Sequence, residues 1–173
     1  MDIFEAISKR RSIRQYDPTK PVGDEVVQKV LDAAIAAPNA GNGQNWRFVV
    51  VRDKELRHKL AFEAGHQKFI EEAPVAIVVC SDLEGAAETY GDRGSNTYAL
   101  QETAAAVENM LLVITALGFG SCWVGAFNES VASVILGLPQ NVRPLAIIPI
   151  GVPLEPVTRI PPRKKLEDVV TFT

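Results

Sequence analysis

Apolar residues recur along this chain with two periods, near 3.6 and as continuous runs, and the alternation marks out the elements. Ile3, Phe4 and Ile7 fall on one helical stripe, and Asp2 is placed to cap a helix over residues 2–10. Tyr16-Asp17-Pro18 ends that segment, because the residue before a proline avoids the helical region. Val26, Val27, Val30, Leu31, Ala34 and Ile35 repeat at three-four spacing, predicting a second helix over residues 24–37, stopped by Pro38. Residues 48–51 read as a short buried strand, followed by a helix capped at Asp53 and carrying Leu56 and Leu60. Residues 74–80 are continuously apolar and read as a central strand, and residues 81–94 as a polar, glycine-bearing loop.

The next stripe is the longest. Leu100, Thr103, Val107, Met110, Leu111, Ile114 and Leu117 predict a helix over residues 95–117, with Gly118 at its stop. It would be about 33 Å long at the helical rise, and its C-terminal half is apolar almost all round, which places it as a buried spine or at a subunit interface. Residues 121–127 read as a strand, Asn128 caps a helix reaching Leu136, and residues 145–152 form another strand. A proline-bearing connection over residues 153–162 and a last short strand over residues 167–171 close the chain. Strands and helices interleave without repeat or boundary, so residues 1–173 read as one α+β domain.

Composition narrows the classes. A chain of 173 residues, 47% hydrophobic, is long enough to bury a core without staples. Cys80 and Cys122 sit singly in apolar surroundings, which predicts two buried, reduced thiols in a cytoplasmic protein rather than a disulfide or zinc site. The first residues, Met1-Asp2-Ile3-Phe4-Glu5, lack the basic flank and apolar run of a signal peptide. Residues 110–117 are too few to cross a bilayer, so no membrane partner is expected. A formal net charge of -3 argues against nucleic acid, which needs an extended basic face.

Against that acidic balance, two cationic clusters stand out. Arg10-Arg11-Ser12-Ile13-Arg14 places three guanidiniums and a hydroxyl in one turn at the end of the first helix, and Arg159, Arg163, Lys164 and Lys165 lie near the other terminus. Such crowding has a Coulombic cost unless an anion meets it, and the planar fork of Arg suits a phosphate or carboxylate. The plainer reading is that cations in a last helical turn offset the macrodipole. Residues 38–46, Pro-Asn-Ala-Gly-Asn-Gly-Gln-Asn-Trp, form a polar loop by composition, yet carboxamides such as Asn42 and Gln44 can donate and accept at once, as the edge of a flat heterocycle requires.

Taken in order, Arg-Arg-Ser-x-Arg, the proline-led Asn/Gly/Gln loop closing on Trp46, the Cys-Trp-Val-Gly-Ala-Phe run after the long helix, and Pro-Pro-Arg-Lys before the terminus resemble the nitroreductase-like family of FMN-dependent oxidoreductases. The resemblance implies a three-layer fold: a central, mostly antiparallel sheet flanked by helices, a long buried helix, and a C-terminal extension exchanged in a homodimer. It implies FMN at the dimer interface. Arg10, Arg11, Ser12 and Arg14 would hold phosphate and ribityl chain, with Arg163 and Lys164 or Lys165 completing the grip. Pro38, Asn39, Asn42 and Gln44 would reach the flavin from the neighbouring subunit, and Trp123, Val124 and Gly125 would run beside the ring. No side chain is singled out as catalytic, since the cofactor carries the hydride. The implied reaction is ping-pong, with NADH or NADPH as transient donor and a nitroaromatic, quinone or related conjugated small molecule as acceptor. Dehalogenation, dehydrogenation, flavin fragmentation, or flavin binding without turnover are the alternatives on the same fold. Two family positions differ here, with Asn39 for the usual Ser and Asn45 for the usual Pro, and His66 stands where an Asn is common.

Overall fold

The computed structural model describes residues 1–155 and 160–173. The central run of apolar residues forms β2 of a four-stranded sheet whose elements are best taken in chain order. α1 (Ile3–Lys9) starts on a capping box in which Asp2 accepts from the Glu5 N–H at 2.9 Å and Glu5 reaches back to Asp2. α2 (Asp24–Ile35) precedes a single 3-10 turn (Ala40–Asn42) and β1 (Trp46–Val51). α3 (Lys54–Lys59), capped by Asp53, runs on into one π-helical turn (Leu60–Ala64). α4 (Phe69–Glu72), β2 (Val75–Asp82) and α5 (Leu83–Arg93) follow. A second π turn (Gly94–Tyr98) leads into α6 (Ala99–Ala116), then come β3 (Gly120–Ser121), α7 (Glu129–Leu136) and β4 (Val142–Gly151).

The strand order is β1-β2-β4-β3, every pairing antiparallel. Helices cover both faces of this sheet, which is why β2 is apolar at successive rather than alternate positions. Val75, Ile77 and Val79 of β2, with Ile148 and Ile150 of β4, pack on α2 and α6 through Val30, Val107, Met110 and Ile114. Ala76, Val78 and Cys80, with Ile147, face the other layer: Leu60, Ile70, Val124 and Ala132. The result is an α+β sandwich with a long, buried α6 against the sheet.

Several expectations are corrected. Residues 81–94 are not a loop. Asp82 accepts from the Gly85 N–H at 3.1 Å and starts α5, because the Leu, Glu and Ala residues around Gly85 are strong helix formers. The helix breaks at Gly91, where φ is 54°. Over residues 121–127 only Gly120–Ser121 is strand, joined by a single bridge from Val124 to Ile147. β4 begins at Val142, three residues earlier than the pattern suggests, because Pro144 sits where the β2–β4 register shifts at Val79/Cys80. Residues 167–171 form no strand; a 3-10 turn (Leu166–Asp168) stands there, exposed, with no sheet edge beside it among the described residues. Leu100, placed on the buried stripe, is 40% exposed. Arg159 and the middle of the expected connection over residues 153–162 lie outside the described residues.

Candidate functional site

α1 ends before the arginines. Arg10 is its C-cap, with extended ψ of 127°, so only Lys9 occupies the last helical turn. The expected arrangement of one helical turn is therefore replaced by an extended segment, and dipole compensation does not explain the three arginines that follow. That segment is tied to the sheet: Ser12 bridges Ser121 in parallel, and Ile13 donates to the Ser121 carbonyl at 2.8 Å. Farther on, Asp17 donates to the Val152 carbonyl at 2.8 Å, and the buried Tyr16 donates its hydroxyl to the Ile13 carbonyl at 2.7 Å. A Cβ on Gly120 would stand 2.8 Å from the Ile13 side chain, so glycine is what lets the segment lie this close to β3.

The guanidiniums are individually placed. Arg11 is fixed by bonds from its Nη1 to the carbonyls of Ser8 and Arg10, each 2.7 Å. Arg14 lies over the Phe69 ring at 5.8 Å. Arg10 reaches Glu108 only at 3.9 Å, a half-exposed pair of little energetic weight. Arg10, Arg11, Ser12 and Arg14 line one cavity of about 410 Å³ with Pro161, Pro162 and Arg163, and no carboxylate is among its walls. Arg163 of the second cluster thus meets the first within one chain. Lys164 does not line this cavity, and Lys165 is paired with Glu167 at 3.1 Å.

Trp123, Val124 and Gly125 continue from the same edge. Val124 is buried and exchanges both backbone bonds with Ile147, at 3.0 and 2.9 Å. Trp123 is 40% exposed and Gly125 is exposed. A Cβ on Gly125 would meet only the Trp123 indole, at 3.7 Å, so nothing among the described residues requires glycine there. Gln67 supports this run by donating from Nε2 to the Ala126 carbonyl at 3.0 Å, a contact that pattern reading did not single out. His66 beside it is exposed and has φ of 50°.

Loop 38–45 lies elsewhere. Pro38 and Asn39 line a different cavity, about 440 Å³, with Ala40, Tyr90, Tyr98, Gln101, Glu102 and Ala105. Gly41, Asn42 and Gln44 all have left-handed backbone, with φ of 57°, 57° and 52°. Asn39 closes the arch by accepting the Gln44 N–H at 3.0 Å, so its carboxamide serves the loop itself. Asn42 and Gln44 are exposed. The sheet explains the separation. Loop 38–45 feeds Trp46, which pairs with Ser81 opposite Arg143, whereas the arginine segment meets Ser121, opposite Ile150 of the same β4. The two groups sit at diagonally opposite corners, roughly 19 Å apart across four strand spacings and roughly 24 Å along β4.

With that geometry in view, comparison with known proteins is direct. The sequence model of the Nitroreductase family matches residues 7–64 and 58–152. A protein of Thermus thermophilus named NADH dehydrogenase is 33% identical over 99% of this chain and 96% of its own length. A Bacillus subtilis protein named FMN reductase [NAD(P)H] is 30% identical over 89% of this chain and 67% of its own. The crystal structure of a nitroreductase family protein from Clostridium novyi superposes with a TM-score of 0.80 at 31% identity, covering 88% of this chain and 86% of that one. The chain belongs to the nitroreductase family.

Proposed function

We propose that this chain, an oxidoreductase of the nitroreductase family, binds FMN at the interface of a homodimer and uses it to carry hydride from NADH or NADPH to a small conjugated acceptor such as a nitroaromatic or a quinone. The observation that carries the reading is the shared cavity of Arg10, Arg11, Ser12, Arg14 and Arg163. Four guanidiniums and a hydroxyl, with no carboxylate among them, form a donor set suited to a phosphate ester. Gly125 adds a second point of fit, since the space a Cβ would enter is open to a flat ring.

In this reading the arginines and Ser12 hold the phosphate and ribityl chain, with Arg11 and Arg14 already oriented by Ser8, Arg10 and Phe69. Residues 123–125 flank the ring, and Gly125 brings its backbone N–H to the edge, the Val124 N–H being bonded to the Ile147 carbonyl. Pro38, Asn39, Asn42 and Gln44 contribute from the second copy, as their position at the far corner of the sheet requires. When bound, FMN supplies two-electron hydride chemistry, accepting from the pyridine nucleotide and passing to the acceptor in ping-pong order. A backbone N–H at the polar edge of the ring favours negative charge there.

The dimer is further supported by apolar surface. Ile3, Phe4 and Ile7 on α1 are 55%, 80% and 55% exposed, and Leu166, Val169 and Phe172 of the tail are 78%, 60% and 94% exposed. Large apolar side chains exposed on α1 and on the tail ask for a partner. The tail would then find on the second copy the cover it lacks on its own. The test is spectroscopic: the purified protein should carry or take up FMN, and anaerobic NADH or NADPH should bleach its visible absorbance. A protein that takes up FMN but shows no bleaching with either donor would be a flavin binder without turnover.

A further inference from the structure

Glu102 stands inside α6, 3% exposed, on a helix face otherwise made of Ala99, Ala106, Val107 and Met110. Its Oε2 accepts the Ala40 N–H at 3.3 Å, and the Asn45 side chain lies beside the carboxylate. Its other oxygen, Oε1, is buried and has no partner among the described residues. A buried carboxylate with an unpaired oxygen is destabilising, and an apolar side chain would fill the same place at lower cost. Burial accordingly pushes its pKa above the ordinary glutamate range, against the opposing effect of the Ala40 N–H and of the neighbouring Asn45.

What this residue touches is informative. Ala40 opens the arch of residues 40–45 and Asn45 closes it, so one carboxylate bonds the first end and lies beside the second. Between them lie Gly41, Asn42 and Gln44 in left-handed backbone. The two that are not glycine resist that conformation, and such backbone persists only where the surroundings over-determine it. The clasp from Asn39 to Gln44 acts from within the loop, while Glu102 acts from the helix beneath it.

We propose that Glu102 is a positioning residue: from α6 its carboxylate anchors Ala40 at the start of the arch, beside Asn45 at its end, and thereby holds Asn42 and Gln44 in the outward geometry in which they meet the flavin of the second copy. This rests on the assignment of that loop to flavin binding made above. Glu102 itself touches neither cofactor nor acceptor in this arrangement.

Three variants test it, with hydrogen exchange of the FMN-free protein and FMN affinity by flavin fluorescence quenching as readouts. Glu102→Leu keeps the bulk and removes the acceptor. It should speed exchange across residues 39–45 by about tenfold or more while β2 and α2 stay protected, and should weaken FMN binding by about fivefold or more. Glu102→Gln retains an acceptor for Ala40 and should restore both readouts toward wild type. Asn45→Ala, which leaves the helix intact, should reproduce part of the loosening if the leucine variant folds poorly. Wild-type exchange over residues 39–45 in both Glu102→Leu and Asn45→Ala overturns the proposal. Should wild-type protein fail to take up FMN, the flavin assignment fails, and the exchange readout still decides the role of Glu102.

Discussion

Ile13 donates its backbone N–H to the carbonyl of Ser121 at 2.8 Å, and this bond joins the arginine segment to the strand that leads into Trp123 and Gly125. The phosphate-binding candidates and the ring-flanking candidates are thereby held on one sheet edge. Gly120 permits the contact. Gly120→Val should push the Ile13 side chain away, lowering stability by about 1 to 3 kcal/mol as an overpacked site does. Denaturant unfolding would measure the loss, and FMN affinity should fall with it. A variant as stable as wild type would mean that the approach of Ile13 to Gly120 is not tight in solution.

Arg163 is the guanidinium contributed from the C-terminal side. Arg163→Ala should leave folding unchanged, because the residue is exposed, and should remove a charge-assisted phosphate contact of about 1.5 to 3 kcal/mol. Equilibrium titration with FMN reads this as a loss of roughly tenfold to a hundredfold in affinity. Lys164→Ala, outside the cavity wall, should change affinity little.

Gly125 is free of steric demand within the chain, so Gly125→Val should fold normally. The added side chain would occupy the space assigned to the ring. Stopped-flow bleaching with NADH or NADPH should be slowed by about tenfold or more, while thermal unfolding of the FMN-free protein stays within about 0.5 kcal/mol of wild type. Unchanged bleaching would remove Gly125 from the site.

Burial raises the pKa of Glu102 above its unfolded value, so the folded state binds that proton more tightly. Its contribution to stability is present below the unfolded glutamate value and is lost as pH rises through the higher folded one. Glu102→Gln removes this dependence. The stability of the variant relative to wild type should therefore grow between about pH 4 and about pH 8 in denaturant unfolding; a constant or shrinking difference would contradict the sign, which follows from desolvation outweighing the Ala40 bond and the neighbouring Asn45.

Both thiols are free and buried. Burial pushes the Cys80 pKa up to about 12 and raises that of Cys122, where Arg14 and Ser12 oppose it. Neither should react with a thiol reagent at neutral pH until the protein unfolds, and Cys122 should react first as denaturant is added.

Much of this architecture is written in local pattern. The run from Val75 to Cys80 announces a strand covered on both faces, and the Val26-to-Ile35 stripe announces α2. The arginines were legible as anion ligands because three of them crowd a chain of net negative charge, although their extended backbone was not, since nothing local distinguishes a last helical turn from a strand-paired segment. α5 was hidden by Gly85 and Gly91, which mark turns in sequence, while its cap at Asp82 depends on geometry. Glu102 was invisible for another reason. One acid near the start of a long helix reads as solvent-facing, and only the loop folded over it reveals that it is buried. The tail's apolar residues suggested a strand, but a strand needs a neighbour, and that neighbour is a tertiary or quaternary fact.

The central claim is that guanidiniums from both ends of the chain grip a flavin phosphate, and comparing FMN with riboflavin tests it most directly. Wild-type protein should bind FMN at least about tenfold more tightly than riboflavin, and the preference should largely disappear in Arg14→Ala combined with Arg163→Ala. Equal affinity for the two flavins in wild-type protein, or an undiminished preference in the double variant, would contradict it.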